Sequence, residues 1–187
     1  QTCALPISSY NQTMVNEMLD NSGMLVLNII AYCKAFIPLL KGYTKPIWTD
    51  LHDYTDKNPY HEPFIDAAST IFLSSDNLTD YKQTMQELIS RGKQLVICTH
   101  GGAGSTALTA AGEWFDQPAL SGFSMVDTNG AGDNYFAGFL YAWLKGKSIR
   151  ECIRYGTICG AFCITSAKLV AEELSVTLLE QSYQQYY

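Results

Sequence analysis

Seven residues, Asp127-Thr128-Asn129-Gly130-Ala131-Gly132-Asp133, stand immediately before an amphipathic stretch covering 134–145. A glycine-rich turn that opens a helix leaves its first backbone N–H groups without intrahelical partners, at the positive end of the helix dipole. Such a turn is a cradle for an anion. Gly130, Ala131 and Gly132 are its expected donors. Asp133 implies more than binding. A carboxylate beside a bound phosphate costs electrostatic energy, so a turn built only to hold phosphate would carry Lys, Ser or Thr there. An acid fits if it takes a proton from an attacking hydroxyl while the N–H groups hold a transferring phosphoryl. The plainer reading of Asp133 is a first-turn acid that offsets the dipole.

The elements that must position this turn alternate along the chain. Short apolar runs at 24–30, 45–50, 68–73 and 94–99 predict buried strands. Helical spacing covers 31–41, stopping at Gly42, and 77–91, with Gly92 at its C-cap. Residues 105–110 and 113–115 read as a hairpin around Ala111-Gly112. A further strand over 121–126 leads to Asp127, and helices follow at 131–145 and 148–166. Repeated β-then-α units predict an α/β fold with right-handed crossovers, a mostly parallel sheet and helices on both faces. Ligands bind at the carboxyl ends of strands in such sheets, and polar residues and glycines collect there. The longest irregular segment is 51–63, which reads equally as a functional loop and as a surface connection.

Composition removes several classes. The 187 residues suffice for one domain with a full core, and the 47% hydrophobic content is that of a globular chain. A net charge of −6, with the 12 Lys and Arg scattered, argues against a nucleic-acid partner. No apolar run reaches membrane-spanning length, and no basic-then-apolar secretion signal opens the chain. The six cysteines form no C-x-x-C and no histidine cluster stands near them, so a zinc site is not indicated. Cys152, Cys159 and Cys163 share one helix face, the behaviour of small buried hydrophobes in a reducing cytoplasm. An NAD-binding oxidoreductase is disfavoured: the glycine turn lies late, and no acid follows it about 20 residues on at a strand end.

The stretch from Asp127 to Asp133, continued by Asn134-Tyr-Phe-Ala-Gly-Phe-Leu140, resembles the C-terminal signature of the PfkB (ribokinase-like) carbohydrate kinases. The resemblance implies a three-layer ribokinase-like fold and ATP-dependent phosphorylation of a sugar, polyol or nucleoside hydroxyl. It makes Asp133 the general base and the backbone from Gly130 to Asp133 the anion hole. Val96-Ile-Cys-Thr99-His100-Gly101, with Gly104, is similar to the family's strand-end turn against the nucleotide phosphates. Thr128 is then also on the nucleotide side. The helix around Arg154-Tyr-Gly-Thr157-Ile-Cys-Gly160-Ala161 matches the small-residue helix near the adenine. Thr157 reads as nucleotide-proximal, Gly160 and Ala161 as packing. His100 reads as a turn residue without a base or metal partner.

Three further roles come from the resemblance. Asp127 and the Asn129 carbonyl are expected at a monovalent-cation site such as K+, although Asp127 equally reads as the cap of its own turn. Mg2+ is implied with ATP. Where the family often has Asn-x-x-Glu this chain has Ser74-Ser75-Asp76-Asn77, which leaves Asp76 as the carboxylate available to metal and phosphate. Asp50, at a strand end, is expected on the substrate side, or else is a loop carboxylate. The altered 74–77 segment keeps a rival open: a non-catalytic nucleotide- or sugar-binding protein on the same scaffold.

Residues 1–7 have no initiator Met and no relation to the pattern after them, and they back-translate to the end of a common sequencing adapter. A non-native leader over 1–7 and a kinase-domain C-terminal portion over 8–187 are therefore expected. The resemblance adds that the lid and most sugar contacts lie in an N-terminal portion outside these residues. It implies that this chain alone is inactive, and that the full-length form is a cytoplasmic protein able to pair as a homodimer.

Overall fold

The structure is a computed structural model and describes residues 10–55 and 58–187. The expected leader over 1–7 lies outside the described residues. Six strands form one sheet whose spatial order equals their chain order: β1 Leu25–Val26, β2 Ile47–Asp50, β3 Thr70–Ser74, β4 Leu95–Thr99, β5 Ser105–Thr109 and β6 Trp114–Gln117. The pairs from β1 to β4 are parallel, and β4–β5 and β5–β6 are antiparallel. The helices are α1 Gln12–Asn21, α2 Ala31–Lys34, α3 Glu62–Ala67, α4 Tyr81–Ser90, α5 Ala131–Leu144, α6 Ile149–Cys163 and α7 Val176–Tyr186.

Alternation along the strands sorts the core into two layers. Ile71 and Leu73, with Val96 and Cys98, face one side and pack with Phe64, Ile65, Met85 and Leu88 of α3 and α4. Phe72, with Leu95 and Ile97, faces the other side, where Tyr135, Phe139 and Ala142 of α5 meet Ile153, Tyr155 and Ile158 of α6. Trp48 joins this second layer edge-on to Phe139 and Trp143. Period-two strands buried on both faces are what a covered parallel sheet requires. The result is the expected three-layer ribokinase-like α/β fold. Among the described residues no helix is long and apolar enough to cross a membrane.

Local chemistry fixes the helix ends. The Asp80 carboxylate accepts the Gln83 N–H at 3.0 Å to start α4, and Gly92 follows α4 at φ +87. Ser148 and Glu151 close a reciprocal capping box on α6. Burial pushes the Cys98, Cys152 and Cys159 thiols up to about 12, in keeping with their packing role.

Several expectations change. The strand expected over 121–126 does not form, so Asp127 sits in a turn and not at a strand end. Its backbone hangs on α6 instead, through the Val126 N–H to the Ile164 carbonyl at 2.7 Å. The run at 24–30 pairs with β2 over two residues only, with Leu27 adding one hydrogen bond to Trp48. The helix expected over 31–41 breaks into α2 and a 3₁₀ turn Ile37–Leu40, because Pro38 falls at the start of the second piece. Helices α1, α3 and α7 have no counterpart in the sequence reading. The loop expected over 51–63 ends in α3 and buries Leu51 and Tyr54.

Candidate active site

β2, β3 and β4 end side by side, and the first turn of α5 arrives opposite their carboxyl ends. Between them lies a cleft of about 540 Å³. It is lined by Asp50, Asp76, Thr99, Gly101, Gly104, Thr128, Ala131, Gly132 and Thr157, so nine residues singled out in the sequence meet at one surface. Asp127, Asn129, Gly130 and Asp133 are not among the lining residues. Asp133 instead faces Asp50 and His52 at one end, where the ionisable atoms of the three side chains lie within 4.8 Å of one another.

The turn before α5 has the architecture of an anion site. Gly130 is the N-cap, in the left-handed region at φ +80, and no side chain caps the helix. A Cβ there would stand 2.5 Å from the Leu169 carbonyl oxygen, so glycine is required twice over. The Ala131 N–H donates to the Thr128 carbonyl at 3.1 Å and the Asn134 N–H to the Gly130 carbonyl at 2.9 Å. Ala131 is thereby removed from the expected donors. Among the described residues, the N–H groups of Gly132 and Asp133 have no hydrogen-bond acceptor. Open donors at a helix start are placed for an anion's oxygens. The side chain of Asn134 locks the turn from below, donating to the Gly130 and Leu169 carbonyls, both at 2.8 Å.

Asp127 does cap its own turn, accepting the Asn129 N–H at 2.9 Å. The Asn129 carbonyl lies 3.6 Å from the Cys163 thiol, as does the Leu169 carbonyl, so two backbone oxygens converge on one sulfur.

The second glycine turn follows β4. Residues Gly101–Ala103 form a short 3₁₀ turn, and Gly104 lies at φ +108 with an added Cβ only 2.1 Å from the Gln117 carbonyl oxygen. His100 is the turn residue expected, and its ring is also held by a hydrogen-bond chain. Its Nε2 donates to Thr106 Oγ1 at 3.0 Å, and that hydroxyl donates to Asp116 Oδ1 at 2.7 Å. Burial lowers the His100 pKa, which keeps the ring neutral and suits this single-donor chain. On the adenine-facing wall expected from the sequence, the Thr157 hydroxyl donates to Ile153 of its own helix at 2.8 Å.

Asp50 ends β2 and is one-fifth exposed. Burial raises its carboxyl above the usual range; the His52 ring and the His52 N–H work against that, while Asp133 and Asp53 add to it. Two site residues have no signal in the sequence reading. His52 lies two positions beyond Asp50 in the left-handed region, φ +51. Tyr135, buried under the cleft, donates its hydroxyl to Ser105 Oγ at 2.8 Å and ties α5 to β5. The small polar cluster D-x-H-D after a strand end was the available clue to His52. Tyr135 reads only as helix core. For metal and phosphate, Asp76 is exposed on the wall beside Ser74, whose Oγ accepts the Asp76 N–H at 3.2 Å.

Known proteins share these features. Residues 65–173 match the pfkB family carbohydrate kinases. The acarbose 7(IV)-phosphotransferase of an Actinoplanes species is 37% identical over 120 residues, covering 63% of this chain and 40% of that protein. A microbiome-derived acarbose kinase superposes with a TM-score of 0.82 at 23% identity, covering 96% of this chain and 62% of that one. A ribokinase II structure from Escherichia coli with ATP and Mg2+ gives 0.77 at 14% identity over 91% and 61% of the two chains. The chain thus spans between two fifths and two thirds of the length of these relatives. With more than half its residues matched, and the three-layer fold in common, the chain belongs to the pfkB family of carbohydrate kinases.

Proposed function

We propose that the protein transfers the γ-phosphoryl of ATP to a hydroxyl of a sugar or related polyol, with Asp133 as general base. The observation that carries this reading is the first turn of α5. It presents two unbonded N–H groups, of Gly132 and Asp133, next to a carboxylate that faces a second carboxylate, Asp50, across the end of the cleft. Anion donors and a base on one helical turn suit a reaction in which a hydroxyl loses its proton as a phosphoryl arrives.

In this reading Asp133 takes the proton of the attacking hydroxyl. The acceptor oxygen bonds to the γ-phosphorus as the bond to the β–γ bridging oxygen breaks, and ADP leaves. The Gly132 and Asp133 N–H groups hold charge on the transferring oxygens; Gly130 and Ala131 shape the turn that aims them. Thr99, Gly101, Gly104 and Thr128 border the triphosphate, and Thr157 the base. The cleft's size and its glycine-bare walls accommodate a nucleotide. Asp76 is the carboxylate for Mg2+, which would neutralise charge on the phosphates when bound. Asp127 and the Asn129 carbonyl are the groups that would hold a monovalent cation. The acceptor meets Asp50. The relatives' action on acarbose supports an acceptor hydroxyl carried by a sugar. The five free thiols among the described residues fit a cytoplasmic setting.

The test is Asp133→Asn in the intact protein, assayed for sugar-dependent ADP release with ATP, Mg2+ and a panel of sugars and polyols. Turnover falls ~10²–10⁴-fold while ATP affinity by calorimetry stays near that of the parent. A variant keeping more than about a tenth of kcat, a barrier change of only ~1.4 kcal/mol, removes Asp133 from the role. ATP binding by the unmutated protein without turnover on any sugar favours the altered 74–77 segment as the mark of a binding protein.

A further inference from the structure

Three side chains converge at the acceptor end of the cleft from three separate places. Asp50 comes from the end of β2, His52 from the loop after it and Asp133 from the first turn of α5, with their ionisable atoms all within 4.8 Å of one another. His52 is held by its backbone. Its N–H donates to Asp50 Oδ1 at 2.8 Å, and its carbonyl accepts the Tyr54 and Ser74 N–H groups, both at 2.9 Å. Among the described residues it is the one non-glycine at positive φ. That conformation brings the ring to the cleft, half-exposed, with Nδ1 3.6 Å from Asp50 Oδ2.

We infer that His52 is a positioning residue on the acceptor side: its imidazole pins the Asp50 carboxylate beside Asp133, so that Asp50 receives one acceptor hydroxyl and Asp133 receives the proton of the other. This rests on the kinase reading. The physical need is plain. Two carboxylates this close repel, so Asp133 adds to the burial that raises the Asp50 carboxyl. The His52 ring opposes that rise and so favours the ionised form of Asp50. The other charged groups facing the cluster are Asp53, on the same loop, which adds negative charge, and His61 at the start of α3, which lies in electrostatic reach of His52. Burial, Asp133 and Asp53 push the Asp50 carboxyl up, and the His52 ring and N–H push it down.

Because every residue but proline keeps the N–H, the ring can be removed alone. His52→Gly keeps the left-handed backbone and its donor while deleting the imidazole. In the intact protein, the Asp50 carboxyl is followed by carbon NMR through a pH titration. Its midpoint is expected at higher pH in His52→Gly and at lower pH in Asp133→Asn, each compared with the parent. A midpoint unmoved by His52→Gly but moved by Asp133→Asn overturns the inference. In kinetics, His52→Gly raises acceptor KM about tenfold, the loss of the ring contact that steadies Asp50, and leaves ATP KM within about twofold. Its kcat/KM acid limb moves to higher pH. A change confined to ATP KM overturns the inference as well. Should the parent show no sugar-dependent turnover, the kinase reading fails, and the NMR titration still decides the role of His52. If His52→Gly does not fold, His52→Asn, which also tolerates the left-handed region, replaces it.

Discussion

Two glycine turns border one cleft, 99–104 after β4 and 127–133 before α5, and each contains a glycine wedged against backbone from elsewhere. Gly104 abuts the Gln117 carbonyl of the hairpin, and Gly130 abuts the Leu169 carbonyl after α6. Their surroundings differ. The first turn carries no carboxylate of its own and is clamped by the chain that runs from the His100 ring through Thr106 to the Asp116 carboxylate. The second carries Asp127, Asp133 and two open N–H groups. The same residue type thus does two jobs. In the first turn glycine makes room for the hairpin; in the second it makes room for Leu169 and leaves the N–H groups of Gly132 and Asp133 open.

Substitutions that separate those jobs test the contrast, and the largest effect belongs to the charged turn. Asp133→Asn costs ~10²–10⁴ in kcat, whereas Thr99→Val in the first turn weakens ATP binding and changes kcat less than about tenfold. Comparable kcat losses in both would erase the distinction. Next come the wedged glycines. Gly104→Ala and Gly130→Ala each lower unfolding free energy by about 2–4 kcal/mol in denaturant melts, since the new Cβ meets backbone that cannot swing away. The loss is greater at Gly104, where the approach is 2.1 Å against 2.5 Å.

Gly132→Val sharpens the contrast from the other side. A Cβ at Gly132 meets nothing within 4 Å, so the fold survives while the valine crowds the cleft mouth. ATP affinity by calorimetry falls about tenfold with the melting temperature nearly unchanged. A collapsed melting temperature would show that this glycine serves packing after all.

The smallest effect is on stability and depends on pH. The folded-state carboxyl of Asp50 is raised, chiefly by burial, so the folded protein binds this proton more tightly than the unfolded chain. Stability is then lost as pH rises from the unfolded carboxylate range through the folded midpoint. Asp50→Asn is expected to stabilise at pH 7 by about 0.5–1 kcal/mol, with the gain vanishing near pH 3. A gain that persists in acid would trace it to packing instead of charge.

Much of this was legible in the sequence because the signals were local. The Asp133 turn, the 99–104 turn and the hairpin at Ala111-Gly112 each combine glycine with the end of an apolar run, and each is where the spacing put it. The misreadings have a common cause in distance along the chain. Phe123, Met125 and Val126 look like a strand, yet Met125 and Val126 are exposed and find no sheet neighbour. Helix α7 carries a weak apolar pattern; it docks through Glu180, which accepts the Tyr141 and Tyr155 hydroxyls at 2.8 and 2.6 Å, and through the Tyr155–Tyr183 stack. His52 acquires meaning only when α5 brings Asp133 to it. The capping of Asp127 by its own turn was one of two readings left open, and the Asn129 N–H two residues on makes that bond.

The sheet's spatial order, identical to its order along the chain, bears on biosynthesis. Each strand after the first pairs with one already made, so the sheet can be assembled in the direction of translation without threading a late strand between early ones. Helix α5, which holds Asp133, is added after all six strands have left the ribosome. On this order Asp133 reaches Asp50 and His52 only after β1 to β6 have been made, and a chain halted before α5 lacks the cluster of the three side chains.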